Sequence, residues 1–245
     1  MKAMVLAAGL GTRLRPLTND RPKALVEVAG RTLLELTLAR LRAFGIQDVI
    51  VNTHHFADLI AAYLRSHDNF GMHIEISHED VLLDTGGGLK EAASFFRDSG
   101  DPFLVHNVDV LSTIDFNQML QSHKERNALA TLAVQDRSTS RYLLFDENSL
   151  LCGRRAGLSG QPEFVRSATA TQALAFCGIH LVSPRIFSVM LEGGSFPIIP
   201  VYLRLAEQNE AVLGYRADRY YWRDLGRPEH ISSAAQEIEE GDYRT

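Results

Sequence analysis

Apolar residues follow two periods in the first half of the chain. The segments KAMVLAA and PFLVHN are apolar runs of strand length, typical of buried parallel strands. The segment TLLELTLARLRAFG instead places its leucines at helical spacing. Thr32 and Glu35 have the spacing of a capping box, and Gly45 is a stop signal. These patterns predict a capped helix between two buried strands.

The same alternation continues along the chain. DVIVNT and MHIEIS are predicted strands, whereas FADLIAAYLRS, GLKEAASFFR and DFNQMLQSHKER are predicted helices. Repeated βα winding implies a mostly parallel sheet with helices on both faces. After residue 125 come shorter strands, the helices SPRIFSVML and IPVYLRLAEQ, and a last helix that can begin at Pro228. We therefore expect a single three-layer α/β domain over residues 1–245.

One stretch, residues 154–171, shows neither period. It is rich in Gly, Ser, Thr and Arg. Such a composition is typical of loops, so we predict a mobile loop or lid there.

The composition of the chain limits the classes of protein to which it can belong. The chain has 245 residues, of which 45% are hydrophobic and 22% charged, which suits a folded domain and not a disordered one. The net charge of −5 argues against nucleic acid as a main partner. No apolar run can cross a membrane and no secretory signal precedes the first strand, so we expect a cytoplasmic protein. Cys152 and Cys177 are expected to pack in the core as free thiols.

The segment AAGLGTRLRP leaves the first strand at its carboxyl end, where open α/β sheets bind ligands. Glycines let backbone N–H groups approach an anion closely. Four basic residues follow within a short distance: Arg13, Arg15, Arg21 and Lys23. The pattern favours a phosphate-binding loop, although a glycine turn with solvated arginines fits it as well.

Two common phosphate motifs are excluded. A Walker loop needs Gly-Lys followed by Ser or Thr, which this segment lacks. A dinucleotide fingerprint needs a third glycine where Leu14 stands.

Four segments together resemble the sugar-1-phosphate nucleotidyltransferases, or NDP-sugar pyrophosphorylases. LAAGLGTRLRPLT with RPKALVEVAG resembles their N-terminal signature, and LLDTGGGLK their base-binding loop. LVHNVDV resembles their metal-binding turn and YWRDLGRPEHI their C-terminal metal-binding segment. The likeness spans nearly the whole chain and is strongest to short bacterial members, the N-acetylmuramate-1-phosphate uridylyltransferases and small mannose-1-phosphate guanylyltransferases.

The resemblance implies a Rossmann-like nucleotide-diphospho-sugar transferase fold and a Mg²⁺-dependent reaction. A sugar 1-phosphate oxygen attacks the α-phosphorus of a nucleoside triphosphate, giving an NDP-sugar and pyrophosphate. Positioning of two anions and neutralisation of charge are what such a reaction requires. Residues 1–125 would bind the nucleotide and residues 126–245 the sugar phosphate. UTP is favoured and GTP is next, and a homodimer is also implied.

The resemblance also assigns residues. It implies catalytic roles for Arg13, Lys23 and Asp109. It places Mg²⁺ on Asp109 and Asp224, and the sugar phosphate on Lys23, Glu163 and Gly178. The nucleotide would be bound by Ala7, Ala8, Gly9, Gly11, Thr12, Arg13, Asp84, Thr85, Gly86 and Asn107. Asp115, another carboxylate, is interpreted as a helix cap, and His54 and His55 as structural.

Two departures from the family pattern keep alternatives open. Val108 stands where the family usually has glycine, and a β-branched residue restricts the backbone. The Glu-Lys-Pro element of longer members is absent, and Glu163 and Arg166 stand in that region. A catalytically silent nucleotide-binding or regulatory protein is one alternative. An NDP-sugar-dependent glycosyltransferase is another, although such enzymes generally lack the N-terminal loop.

Overall fold

A computed structural model describes residues 1–97, 99–241 and 243. The strands are β1 (Ala3–Leu6), β2 (Glu27–Val28), β3 (Arg31–Thr32), β4 (Asp48–Thr53), β5 (His73–His78), β6 (Phe103–Asn107), β7 (Val110–Ser112), β8 (Ala130–Gln135), β9 (Arg141–Phe145), β10 (Leu151–Ala156), β11 (Pro162–Phe164), β12 (Gln172–Val182), β13 (Val212–Arg216) and β14 (Trp222–Asp224). The helices are α1 (Leu33–Ala43), α2 (Ala57–Ser66), α3 (Asp84–Glu91), α4 (Ala93–Arg97), α5 (Phe116–Glu125), α6 (Ile186–Val189), α7 (Ile198–Glu207) and α8 (Pro228–Glu240).

The central sheet is built outward from β1. This strand is parallel to β4 on one side and to β6 on the other, and β5 continues the parallel block beyond β4. The long strand β12 then runs antiparallel to β6 and, nearer its own start, to β9 along one edge, and to β8 along the other edge. The predicted α/β architecture with a parallel central block is confirmed, and antiparallel strands extend it on one side.

Helices cover both faces of the sheet. Because side chains alternate along a strand, Met4 and Val5 of β1 enter two different apolar clusters. The Val5 cluster includes residues of α1, α2, α5 and α8, and the Met4 cluster includes residues of α3, α4, α6 and α7. The three layers predicted from the sequence are therefore present.

Local signals set the helix ends as predicted. The side chain of Thr32 accepts a hydrogen bond from the N–H of Glu35 at 3.0 Å, and Gly45 takes a left-handed conformation with φ 73° after α1. Asp115 caps α5 by accepting from the N–H groups of Asn117 and Gln118, each at 3.0 Å. Its interpretation as a cap is confirmed.

The predicted loop over residues 154–171 is wrong in part. Strands β10 and β11 form an antiparallel hairpin there, and Arg154 pairs with Glu163 at 2.7 Å. All three residues of β11 are exposed at the edge of the sheet. An exposed edge strand needs no apolar alternation, so its sequence carried no strand pattern.

Two further expectations concern the core and the membrane. Cys152 and Cys177 are free and fully buried, as predicted. Across the described residues, every helix is too short or too polar to cross a bilayer.

Candidate active site

The loop after β1 presents free backbone donors. Gly11 has φ 63°, which turns the chain into a short 3-10 segment over Thr12–Leu14. Its carbonyl is already used, because it accepts from the N–H of Leu14 and the hydroxyl of Thr18, each at 2.9 Å. Among the described residues, none accepts a hydrogen bond from the N–H of Gly9, Gly11 or Thr12. The loop therefore carries several unsatisfied donors, the property of an anion-binding turn.

Lys23 and Asp109 form an ion pair at the centre of the site. The Lys23 ammonium donates a hydrogen bond to Oδ2 of Asp109, which lies 86 residues further along the chain. The two side chains are only 12% and 15% exposed, so water screens their interaction weakly. The structure thus brings together two residues that the sequence had placed in separate motifs.

A small ribbon carries both aspartates assigned to the metal. β14 pairs antiparallel with β7, so that Asp224 faces Val110, the residue after Asp109. The N–H of Leu225 donates to the Asp109 carbonyl at 2.7 Å and extends the ribbon by one residue. The ribbon therefore places Asp109 and Asp224 side by side.

One oxygen of each carboxylate has no partner among the described residues. Oδ1 of Asp224 accepts from the N–H of Gly226 at 2.8 Å, and Oδ2 of Asp109 is taken by Lys23. Within residues 1–97, 99–241 and 243, no donor reaches Oδ1 of Asp109 or Oδ2 of Asp224. No group of three or more His, Cys, Asp and Glu side chains suited to a metal is found in the same part of the chain.

Arg13 joins the loop to this ribbon. A Cβ built on Gly226 would lie 2.8 Å from Nη2 of Arg13 and 2.7 Å from Oδ1 of Asp224. The guanidinium and the carboxylate therefore lie around one point, and only glycine leaves room between them. The first and last motifs of the chain meet here.

A buried polar network beneath the loop was missed by sequence reasoning. Asn52 accepts from the N–H of Ala7 at 2.8 Å and donates to Oε1 of Glu79 at 2.6 Å. The other carboxylate oxygen of Glu79 accepts from the N–H of Leu83 at 2.9 Å. Asn52 is 2% exposed and so is Glu79. Polar residues at the carboxyl ends of DVIVN and HIEISHE were the available signal.

The network links the loop to the DTGGG segment. Gly88 packs so closely on it that a Cβ would lie 2.5 Å from Oε1 of Glu79. Gly86 and Gly87 donate their N–H groups to the carbonyl of Phe196, at 2.9 and 3.1 Å. The glycines are thus required by close packing inside the protein.

Asp84 and Thr85, the other two residues of the DTGGG segment, lie at its N-terminal end. Asp84 is exposed with φ 59°, and its side chain accepts from the N–H of Thr85 at 2.6 Å. The Thr85 hydroxyl accepts from the N–H of Ile198, at the start of α7, at 3.0 Å. Thr85 therefore fixes α7 against α3.

The turn at Asn107 is compatible with valine. The side chain of Val108 is 4% exposed and belongs to the apolar cluster on the Val5 face. Gly178, with φ 74°, lies against Asn107, whose Nδ2 would be 2.7 Å from a Cβ built on that glycine. Below them, burial lowers the pKa of His106 to about 4, so its imidazole is neutral, and its Nδ1 lies 2.8 Å from the Asn107 carbonyl.

The fold does not bring Glu163 to the cluster formed by Arg13, Lys23, Asp109 and Asp224. Glu163 lies on β11, separated from β12 by β10 and β9, and its carboxylate pairs with Arg154.

His55, interpreted as structural, lines a cavity of about 340 Å³ together with Leu10, Thr12 and Arg15. His54 is held by the carbonyl of Glu79 at 2.8 Å from its Nδ1.

Comparison with protein families gives one match over nearly the whole chain. The profile of the "Nucleotidyl transferase" family matches residues 2–241.

Curated relatives agree with this match. An N-acetylmuramate alpha-1-phosphate uridylyltransferase of Caulobacter vibrioides is 36% identical, over 97% of each chain. A mannose-1-phosphate guanylyltransferase of Mycobacterium tuberculosis is 31% identical over 98% of this chain and 65% of its own. A UTP–glucose-1-phosphate uridylyltransferase of Synechocystis is 28% identical, and this chain spans 60% of its length.

Solved structures share the fold. HddC from Yersinia pseudotuberculosis, complexed with GMP-PN, aligns with a TM-score of 0.77 at 20% identity, over 97% of this chain and 99% of its own. A putative glucose-1-phosphate thymidylyltransferase from Bacillus anthracis aligns with a TM-score of 0.80 at 18% identity, over 100% of this chain and 98% of its own.

Proposed function

Because this chain belongs to the nucleotidyl transferase family, we propose that it transfers the uridylyl group of UTP to a sugar 1-phosphate. The chain is an enzyme of the sugar-1-phosphate nucleotidyltransferase type. The relative from Caulobacter, matched over almost its full length, supports UTP and an N-acetylmuramate substrate. The guanylyltransferase relatives keep GTP with mannose 1-phosphate as the second pair to test.

One observation carries the proposal. The free amides of the loop, Arg13, Lys23 and the two aspartates converge on one edge of the sheet, although they come from both ends of the chain and its middle. This edge is the carboxyl end of β1 and β6, where ligands of α/β sheets bind. Cationic and N–H donors beside two carboxylates suit a triphosphate with a divalent metal ion.

Each residue has a role in the proposed reaction. The N–H groups of Gly9, Gly11 and Thr12 hold the triphosphate, and Arg13 neutralises the departing pyrophosphate. Lys23 exchanges Asp109 for phosphate oxygens and orients the sugar phosphate for attack at the α-phosphorus. The new P–O bond forms as the bond to the β-phosphate breaks. Asp84, Thr85 and Gly86 contribute to the nucleobase site, with Ala7, Ala8 and Asn107 near the phosphates.

Asp109 and Asp224 fit Mg²⁺. Each has one carboxylate oxygen free of described partners, the two lie on adjacent positions of a ribbon, and oxygen ligands are what Mg²⁺ prefers. Bound between them, Mg²⁺ would neutralise charge on the phosphates. Residues 1–125 would then hold the nucleotide, while residues 126–245 would supply Gly178 to the sugar-phosphate site and Asp224 to the metal.

The test is pyrophosphate release with each of the four NTPs and Mg²⁺. The panel of sugar 1-phosphates contains N-acetylmuramate, N-acetylglucosamine, glucose and mannose. We expect release only when UTP is combined with N-acetylmuramate 1-phosphate. Release with GTP and mannose 1-phosphate would overturn the choice of substrates but keep the reaction. Nucleotide binding without release from any pair would indicate the silent binding protein, and consumption of a UDP-sugar without pyrophosphate a glycosyltransferase.

A further inference from the structure

Arg137 lies on the same side of the ribbon as Asp224. Its guanidinium carbon is 3.7 Å from the centre of the Trp222 ring. Trp222 and Asp224 are two residues apart on β14, so their side chains emerge on the same face of that strand. Arg137 therefore belongs to the surroundings of the proposed metal site, although it lies in a loop far from every motif noted in the sequence.

The guanidinium is held firmly. Its Nη2 donates to the carbonyl of Phe176 at 2.8 Å, and the Trp222 indole is fixed by a hydrogen bond of 2.8 Å from Nε1 to the carbonyl of Cys177. Both anchors lie on β12, one and two residues before Gly178. Arg137 thus contacts the segment of β12 just before Gly178 and stacks on the strand that carries Asp224.

Among the described residues, the Arg137 guanidinium lacks a carboxylate partner for its charge and a hydrogen-bond acceptor for its Nε. Nε of Arg137 is shielded from water and has no hydrogen-bond partner among the described residues. No described carboxylate lies within ion-pair distance of it, whereas Arg204 and Arg185 are paired with Glu192 and Glu210. Burial lowers the pKa of the Arg137 guanidinium, and the thiol of Cys177 and, after it, the carboxylate of Asp224 oppose that shift. An unpaired, partly buried cation is stabilised when an anion binds beside it.

We propose that Arg137 binds an anionic oxygen of the sugar substrate. This inference rests on the proposed function and adds to it a residue that the family resemblance did not assign. Two groups of N-acetylmuramate 1-phosphate could supply that oxygen: the 1-phosphate and the carboxylate of the muramate side chain. A planar guanidinium stacked on an indole is preorganised to bind either group through two hydrogen bonds.

Trp222 provides a direct readout, since it is the single tryptophan of the sequence. Its fluorescence is titrated with N-acetylmuramate 1-phosphate and with N-acetylglucosamine 1-phosphate, in the presence of Mg²⁺ and a non-hydrolysable UTP analogue. No turnover is required, so the result does not depend on the proposed reaction. The variants are R137Q and R137K. The control is R166Q, because Arg166 also has a shielded Nε without a hydrogen-bond partner among the described residues but donates to the backbone carbonyl of Glu210, away from the ribbon.

For R137Q we expect the Kd of the sugar phosphate to rise about 10- to 100-fold, the loss typical of a charged hydrogen bond. R137K should lose less affinity for the sugar phosphate, because lysine keeps the positive charge but lacks the planar guanidinium that makes two hydrogen bonds. R166Q should match the wild type, and the Kd of the UTP analogue should stay within about twofold, since no role in nucleotide binding is assigned to Arg137.

Comparison of the two sugars identifies the anion. A loss confined to N-acetylmuramate 1-phosphate indicates the muramate carboxylate, and an equal loss for both sugars indicates the phosphate. The proposal is overturned if R137Q binds both sugar phosphates as the wild type does. It is also overturned if R137Q weakens the UTP analogue by the same factor, because Arg137 would then only support the fold around Trp222.

Discussion

The ammonium group of Lys23 donates a hydrogen bond to Oδ2 of Asp109, although the two residues lie 86 positions apart in the chain. Lys23 follows the glycine loop and Asp109 follows β6, so the pair joins the proposed triphosphate and metal positions. A cation that is bound to a carboxylate in the free protein is already in place to receive a phosphate. The pair therefore places Lys23 where the proposed reaction needs a cation.

Replacing Lys23 by methionine should lower kcat/KM by about 100-fold or more, the usual cost of removing one group that stabilises developing charge. Methionine preserves the packing but leaves the weakly exposed carboxylate of Asp109 without its cation, so the melting temperature should also fall. Steady-state pyrophosphate release measures the effect. The control is K124M, which breaks the exposed pair between Lys124 and Asp101 and should leave activity unchanged. Full activity of K23M would contradict the assigned role.

The Mg²⁺ requirement should depend on Asp109 and Asp224. We expect D109N and D224N each to lower kcat/KM by about 100-fold or more, since metal catalysis contributes several kcal/mol, and to shift half-maximal activity to higher Mg²⁺. Chelation with EDTA should abolish wild-type turnover, and added Mg²⁺ should restore it.

A separate carboxylate serves as the control for this series. D115A removes the cap of α5 and should cost about 1 kcal/mol of stability without changing the Mg²⁺ dependence. An unchanged Mg²⁺ titration in both D109N and D224N would argue against the assigned metal ligands.

Gly88→Ala should disturb the network beneath the glycine loop. The new Cβ would lie 2.5 Å from Glu79 and 2.7 Å from Asn52, so those side chains must move. We expect a loss of about 1–3 kcal/mol in the free energy of unfolding, as is usual for overpacking, together with weaker UTP binding. Urea unfolding and calorimetry measure the two effects. Gly193→Ala is the control because nothing lies within 4 Å of its Cβ position.

Stability should fall as the pH falls from 6.5 toward 5. Burial lowers the pKa of His106 and His123 to about 4 and that of His180 to about 3. Below pH 6.5, the ordinary pKa of histidine, the unfolded chain therefore binds protons that the folded chain does not bind. This difference favours unfolding. Each histidine contributes up to about 1.4 kcal/mol per pH unit in this window.

Urea unfolding between pH 7.5 and pH 5 tests this dependence. H123Q should have a shallower slope than the wild type, by up to about 1.4 kcal/mol per pH unit, because one proton fewer is involved. An equal free energy of unfolding at pH 7 and pH 5 would show that these histidines are not kept neutral in the folded protein.

Much of the fold was open to prediction from local patterns. The capped helix α1, the buried strands β1 and β6 and the cap at Asp115 all depend on residues close in sequence, and all are confirmed. The hairpin of β10 and β11 was missed because an exposed edge strand has no apolar period.

The sequence by itself determined the layered α/β architecture and the motifs that identify the family, because burial period and motif spacing are local properties. Only the tertiary structure decided which polar groups meet: Lys23 with Asp109, Asn52 with Glu79, and Arg137 with Trp222. These contacts depend on strand order and on the chain returning through β14. No local period encodes them, since a polar side chain at the end of one strand does not specify which distant strand end will lie beside it.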